Sequence, residues 1–289
     1  MSVFKKLIFR MKKSVAYLTL STTSTSATWS PQLVTNTGAI LTWDVTGDIT
    51  PTSQNVDDPT FDLSANTGTV DMNVYDVSDL TEFYCDTNNL ISLNVNQQTN
   101  LIKLICFNNQ LTALDITNNT NLTYISCGDN QLTSLNTSNN INLITLGVGG
   151  NQITDMDVSN NINLDYLGIY NNVFTALDIT NNTYLTNLQC YTNQLTSLNT
   201  SNNINLITLG AQGNQITSLD LSNNINLKTV NVYNNNMSPS ATDQIYIDLA
   251  NGVGINGRLE IRNNRTSASD SARATLVSRG WTFNESLTT

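Results

Sequence analysis

Histidine is absent from all 289 residues. That excludes a Ser-His-Asp triad, a Cys-His pair, an HExxH zinc site and an imidazole proton shuttle. Charged residues are sparse, at 12%. Between residues 14 and 257 only Lys103 and Lys228 are basic, against 19 acidic residues. An acidic middle of this kind repels phosphate backbones, so nucleic-acid binding is not expected. No Walker loop occurs, and no apolar run reaches the roughly 18 residues that would suggest a transmembrane helix. Hydrophobic residues still make up 39%, enough apolar mass for a core.

What abounds is asparagine, 46 residues, about one in six. Asn suits turns and polar ladders and is poor in helix interiors and ordinary strands. A chain this rich in it needs an architecture that takes Asn at regular places. The register of the leucines supplies one: Leu80, Leu101, Leu122, Leu143, Leu164, Leu185, Leu206 and Leu227 lie 21 residues apart. With Leu101 as position 1, one unit reads LIKLICFNNQLTALDITNNTN and the next LTYISCGDNQLTSLNTSNNIN. Position 4 holds Phe83, Leu104, Ile125, Leu146, Leu167, Leu188, Leu209 and Val230, and position 6 is Cys, Val, Ile or Ala. Two apolar residues two apart predict a short strand with one face inward. Position 9 is Asn in all eight units, from Asn88 to Asn235. A buried Asn is costly unless paired, so this column predicts a ladder that bonds the backbone of its own coil and the adjacent one. No unit buries its apolar side alone, but stacked units do, which makes the object a solenoid. At a strand spacing of about 4.8 Å, eight coils would span about 38 Å.

The pattern LxxLxCxxNxL resembles the leucine-rich repeat family. The 21-residue unit, with its second LDxxxN half, is similar to the short nested class of bacterial and phage-associated proteins. The resemblance covers residues 80–237. It implies a leucine-rich repeat solenoid, mainly β, with a parallel concave sheet and little helix outside a C-terminal cap. It also implies use in recognition rather than catalysis.

The ends depart from the repeat. Residues 1–27 carry Lys5, Lys6, Arg10, Lys12 and Lys13 and read either as a weak secretory signal or as an uncleaved basic arm. Residues 28–79 are expected to form a β-rich cap whose segment 61–74 is a degenerate first coil, Val70, Met72 and Val74 echoing Leu90, Leu93 and Val95. Residues 238–289 predict a helix-bearing cap. Its first helix starts at Ser238-Pro239, buries Ile245, Ile247 and Leu249 and stops at Gly252. Leu259, Ile261 and Asn264 then match positions 4, 6 and 9. A second helix opens at Ser267–Asp270 and ends near Arg279, and Trp281 and Phe283 are expected at positions 4 and 6 of a last strand.

Three side-chain groups are candidates for chemistry. Cys85, Cys106, Cys127 and Cys190 all fall at inward position 6 among Leu and Ile. They read as small buried hydrophobes rather than as a zinc site, although a bridge between neighbouring coils fits strand spacing. Asp157 and Asp178, neighbours at position 15, would lie about 5 Å apart, the separation of a retaining glycosidase pair. Asn94, Asn136 and Asn199 share that column, which instead suggests a turn role. The third group is aromatic. Tyr84, Phe107, Tyr124, Tyr166, Tyr170, Tyr191 and Tyr233 occupy positions 3, 5 or 7, outward from the core along the concave sheet. Glycines such as Gly147, Gly149 and Gly168 leave shallow gaps between them. Tyrosine offers contact area and a polar tip at little entropic cost.

The expectation is a non-enzymatic recognition or adhesion protein, extracellular or at a cell surface, binding a protein or glycan through this face. No catalytic residue, metal or cofactor is called for. The competing reading is a structural part of a phage virion or surface assembly, docked on a scaffold or virion protein by its N-terminal region.

Overall fold

In a computed structural model the described residues are 80–262 and 265–284, together with the backbone of four N-terminal strands. Those strands are β1 (Tyr17–Thr22), β2 (Gln32–Thr35), β3 (Thr42–Val45) and β4 (Val70–Tyr75). The basic stretch Lys5–Lys13, Asn264 and most of the expected N-terminal cap lie outside the described residues.

Every coil of the repeat places one short strand in the same sheet. They are β5 (Leu80–Tyr84), β7 (Lys103–Ile105), β8 (Tyr124–Ser126), β9 (Thr145–Gly147), β10 (Tyr166–Gly168), β11 (Asn187–Gln189), β12 (Thr208–Gly210) and β13 (Thr229–Asn231). After these come β14 (Arg258–Glu260) and β15 (Thr282–Asn284). These ten strands are parallel and in register, so that Leu104, Ile125, Leu146 and Leu167 stack directly. Strand β2 closes the sheet antiparallel to β5. A smaller antiparallel sheet, in the order β3-β4-β1-β6, ends on β6 (Leu90–Asn94) of the first coil. Val70–Tyr75 therefore pairs antiparallel with β1 and β3 instead of stacking as a preceding parallel coil, and residues 17–22 of the N-terminal segment are strand.

Positions 1, 4, 6 and 11 are fully buried or nearly so in every coil and merge into one core along the stack. The turn out of each strand is made at position 8, where Thr87, Asn108, Asp129, Gly150, Asn171, Thr192, Gly213 and Asn234 all have φ between 51° and 70°. Asn, Asp and Gly tolerate that left-handed conformation best.

The asparagines form several inter-coil ladders. At position 9, Asn109 donates to Cys106 O of its own coil at 3.0 Å and to Cys85 O of the coil before at 2.9 Å, while its Oδ1 accepts from Leu90 N at 2.9 Å. The pattern recurs through Asn235. At position 19, on the other side of the coil, Asn140 donates to Ile116 O at 3.1 Å and Asn119 O at 2.9 Å, and Asn161, Asn182, Asn203 and Asn224 repeat it. Exposed rows at positions 18 and 21 add further amide-to-carbonyl bonds, among them Asn139 to Thr117 O and Asn142 to Thr120 O. Position 15 works differently: Asp or Asn accepts from the N–H two residues on, as Asp157 does from Ser159 at 2.8 Å and Asn136 from Ser138 at 3.0 Å. Either residue type makes this turn equally well.

The position 19 ladder explains a second column. The Asn161 and Asn224 Oδ1 atoms accept from Thr137 and Thr200, which stand at position 16 of the preceding coil. Where that position is Val95, Ile116, Val158 or Ile179, the Oδ1 of Asn119, Asn140, Asn182 or Asn203 is buried without a hydrogen-bond partner in the chain. Thr137→Val should therefore cost about 1–2 kcal/mol, and Val158→Thr should recover part of such a loss by serving Asn182. Urea unfolding of the two variants measures both signs.

The C-terminal cap follows its sequence signals with two changes. Helix α1 (Pro239–Asn251) has Ser238 as N-cap and Gly252 at its end. Its buried face is Thr242, Ile245, Tyr246 and Leu249, while Ile247 is half-buried, because helical spacing selects three- and four-residue steps and not alternation. Helix α2 (Asp270–Ser278) ends at Arg279, and Gly280 takes φ 80°. Phe283 pairs with Leu259, so it fills position 4 of the last strand and Trp281 position 2, two places from the expected register. Trp281 is buried, with its indole N–H on Gly254 O at 2.9 Å.

Candidate binding face

Positions 3, 5 and 7 of the strands point out of the core, and all seven expected aromatics stand on that face, either half-buried or, at Phe107, 37% exposed. They do not act alike. At the N-terminal end Lys103 Nζ sits 5.0 Å from the ring centroids of both Tyr84 and Tyr124, and the Tyr84 hydroxyl donates to Glu82. The Lys103 ammonium is held above its ordinary pKa, first by its hydrogen bond with Tyr84. At the C-terminal end the Arg262 guanidinium lies 4.5 Å from the Tyr233 centroid. Neither Lys103 nor Arg262 was read from the sequence as part of this face, because each reaches its ring from a neighbouring coil.

Between those ends stand Tyr166, Tyr170 and Tyr191. The Tyr170 and Tyr191 rings are stacked, with centroids 4.8 Å apart and planes 8° off parallel. Tyr170 rests where a side chain of the preceding coil would be: a Cβ on Gly149 would come within 2.4 Å of its ring. The glycine is thus the seat of the tyrosine and not only a gap beside it. Burial raises the phenol pKa of all three, so they remain hydroxyl donors at neutral pH. Phe107, Tyr124, Tyr166 and Tyr170 wall a cleft of about 530 Å³ that is lined also by Gly128, Gly147, Ser126, Thr145 and Asp129.

A larger groove, of about 1360 Å³, runs beside the sheet from Thr81 to Lys228 along positions 21 and 2. Ile102, Ile144 and Ile207 on it are exposed, whereas Ile105 is half-buried. The position 20 isoleucines, Ile141, Ile162, Ile204 and Ile225, form a second exposed apolar row that sequence reading missed.

The other candidate groups are structural. All four thiols are free and buried, and burial pushes Cys127 and Cys190 up to about 12 and Cys85 and Cys106 well above the ordinary thiol value. They are neutral and unreactive as nucleophiles. Asp157 and Asp178 hold turns, and hydrogen bonds from Ser159 and Thr180 lower both carboxyls, the opposite of the raised partner that a general-acid pair needs. Among the described residues no group of three His, Cys, Asp or Glu is placed to hold a metal, and no helix is long and apolar enough to cross a membrane.

No family model matches the chain, and no curated protein matches it in sequence. Solved structures do. The functional domain of InlJ from Listeria monocytogenes, described as including a cysteine ladder, is 25% identical with a TM-score of 0.58, over 81% of this chain and 56% of that one. The internalin InlF from Listeria monocytogenes is 25% identical with a TM-score of 0.63, over 74% of this chain and 63% of that one. Internalin C2 of the same organism is 24% identical with a TM-score of 0.57, over 64% and 82%. The chain thus spans less than two thirds of the length of the first two. Three successive cysteines at position 6, Cys85, Cys106 and Cys127, form its own stack of thiols. The repeat, the in-register parallel rungs and these likenesses agree that the chain has the leucine-rich repeat fold.

Proposed function

We propose that this is a non-enzymatic recognition protein that works outside the cell and binds its partner through the centre of the concave sheet. One observation carries the reading: Tyr166, Tyr170 and Tyr191 are gathered on one rigid surface, two of them stacked, and among the described residues no cation covers any of the three. The flanking Tyr84 and Tyr233, by contrast, are engaged by Glu82 and by Arg262. Aromatic side chains fixed on a rigid scaffold lose little entropy on binding, which is why such anchors dominate interface energetics. The fold is shared with internalins, and the buried thiols are shielded from an oxidising exterior.

The test is the triple variant Tyr166→Ala/Tyr170→Ala/Tyr191→Ala, with glycan and bacterial or host surface-protein arrays as probes. Binding to any partner found with the wild type should fall at least about thirtyfold, the loss of two or three anchors of about 1–2 kcal/mol each. The melting temperature should change little, since these side chains lie outside the core. Unchanged binding by a folded triple variant would falsify the assignment of the face.

A further inference from the structure

The central cleft has the make-up of a cation site. Its walls are four aromatic rings, Phe107, Tyr124, Tyr166 and Tyr170, and Asp129 is the one charged side chain that lines it. Asp129 leans toward the next coil, its Oδ1 lying where a Cβ on Gly150 would be, and its carboxylate adds to burial in raising the Tyr170 and Tyr191 phenols. The chain's own cations show what this face accepts. Lys103 is sandwiched by Tyr84 and Tyr124, and Arg262 covers Tyr233, each within 5.0 Å of a ring centroid. Among the described residues no cation covers Phe107, Tyr166, Tyr170 or Tyr191. Residues 80–237 hold nine acidic and two basic side chains, a net −7, so the surroundings attract positive charge.

We propose that the cleft receives an arginine or lysine side chain of a basic protein segment, with the cation held against the faces of Tyr166 and Tyr170 and paired with Asp129. The inference rests on the concave-face reading and narrows it to a cationic protein partner. The physics is the attraction of a desolvated cation to ring quadrupoles, strengthened by a carboxylate at the same place. A neutral sugar would stack on the same rings and its hydroxyls could donate to Asp129, but it would gain nothing from the net negative charge of the surroundings.

The experiment measures hepta-arginine and hepta-citrulline by calorimetry. Citrulline keeps the length and the planar head group of arginine and removes the charge. Hepta-arginine should bind at least about tenfold more tightly than hepta-citrulline. Asp129→Asn should weaken it several-fold, and Tyr166→Leu/Tyr170→Leu about tenfold or more. Asp157→Asn/Asp178→Asn removes two charges from the other side of the coil without disturbing the turns, since Asn serves that column elsewhere, and should change the affinity less than about twofold. Equal affinity for the two peptides overturns the proposal. So does an equal loss from the Asp157/Asp178 variant, which would mean charge attraction without a site. A neutral glycan whose binding needs the tyrosines, with hepta-arginine indifferent to them, overturns the cation site and keeps the face. Indifference of every bound ligand to the tyrosines overturns both.

Discussion

Asn151→Ala should lower the unfolding free energy by about 3–4 kcal/mol. The side-chain amide donates to Cys127 O at 3.1 Å and Val148 O at 2.9 Å, and its Oδ1 accepts from Leu132 N at 2.9 Å. The two carbonyls each keep a second amide, from Asn130 and Asn172. Leu132 N keeps nothing, so the variant strands a buried N–H and loses two further bonds, one across the joint between two coils and one within its own coil. Three net bonds at about 1 kcal/mol each, with the orphan's desolvation added, give the estimate. Asn151→Asp retains the acceptor for Leu132 but loses both donors and brings a charge into a buried place, so it should be no better. A solenoid is held by nearest-neighbour contacts, so the weakened joint should also broaden the urea transition. A loss under about 1 kcal/mol, measured by urea unfolding, would mean that the ladder is ornament and that leucine packing alone holds the coils.

Ending the chain at Met237 should abolish the soluble monomer. The last coil of the repeat buries Leu227, Val230 and Val232 to within 1%, the coil before it buries Leu221 likewise, and beyond them only the cap completes the core. Ile245, Tyr246 and Leu249 of α1 join that core, and Asp248 Oδ2 accepts from Leu221 N of the coil before at 3.0 Å, tying the cap to the stack. Four apolar side chains returned to water at about 1.5–3 kcal/mol each come to roughly 6–12 kcal/mol, the size of a whole domain's stability. Strand β13 would also lose its parallel partner β14 and present an open edge to other chains. Light scattering on the truncated protein should find aggregates or oligomers. Tyr246→Ala is the milder probe, with about 3–4 kcal/mol expected because the ring is fully buried. A truncated chain that stays monomeric with an unchanged melting temperature would show that the repeat needs no such cover.

Much of this architecture is legible in the sequence because each column reports one environment eight times over. The leucine columns and the unvarying Asn88-to-Asn235 column announce strands, core and ladder together, and the coils obey them. The alternation of Asp and Asn at position 15 points to a turn, and the Ser159 and Thr180 contacts are that turn. Reading fails where a residue occurs once. Ile247 and Tyr246 cannot be told apart by hydrophobicity when the helix phase is unknown, and the Trp281 register rests on one strand with no copies to align. The pairing of Val70–Tyr75 with β1 is a long-range choice that no local pattern encodes. On the candidate face the tyrosines are plain from position parity. Their division into cation-covered ends and an open centre depends on where Lys103 and Arg262 extend in space, and Arg262 comes from outside the repeat.

Since the position 9 and position 19 amides bond neighbouring coils in the same way along the stack, a whole unit can be added or removed wherever it does not separate Tyr170 from its seat at Gly149. The chain bears a trace of this: residues 130–147 and 193–210 are identical at all 18 positions, three units apart. Such stretches let recombination copy or excise blocks of rungs without altering either end piece. Reach is therefore a property that a lineage of these molecules could adjust in single coils, while the tyrosine centre and its glycine bed, spelled by residues that occur once, would have to be kept by selection.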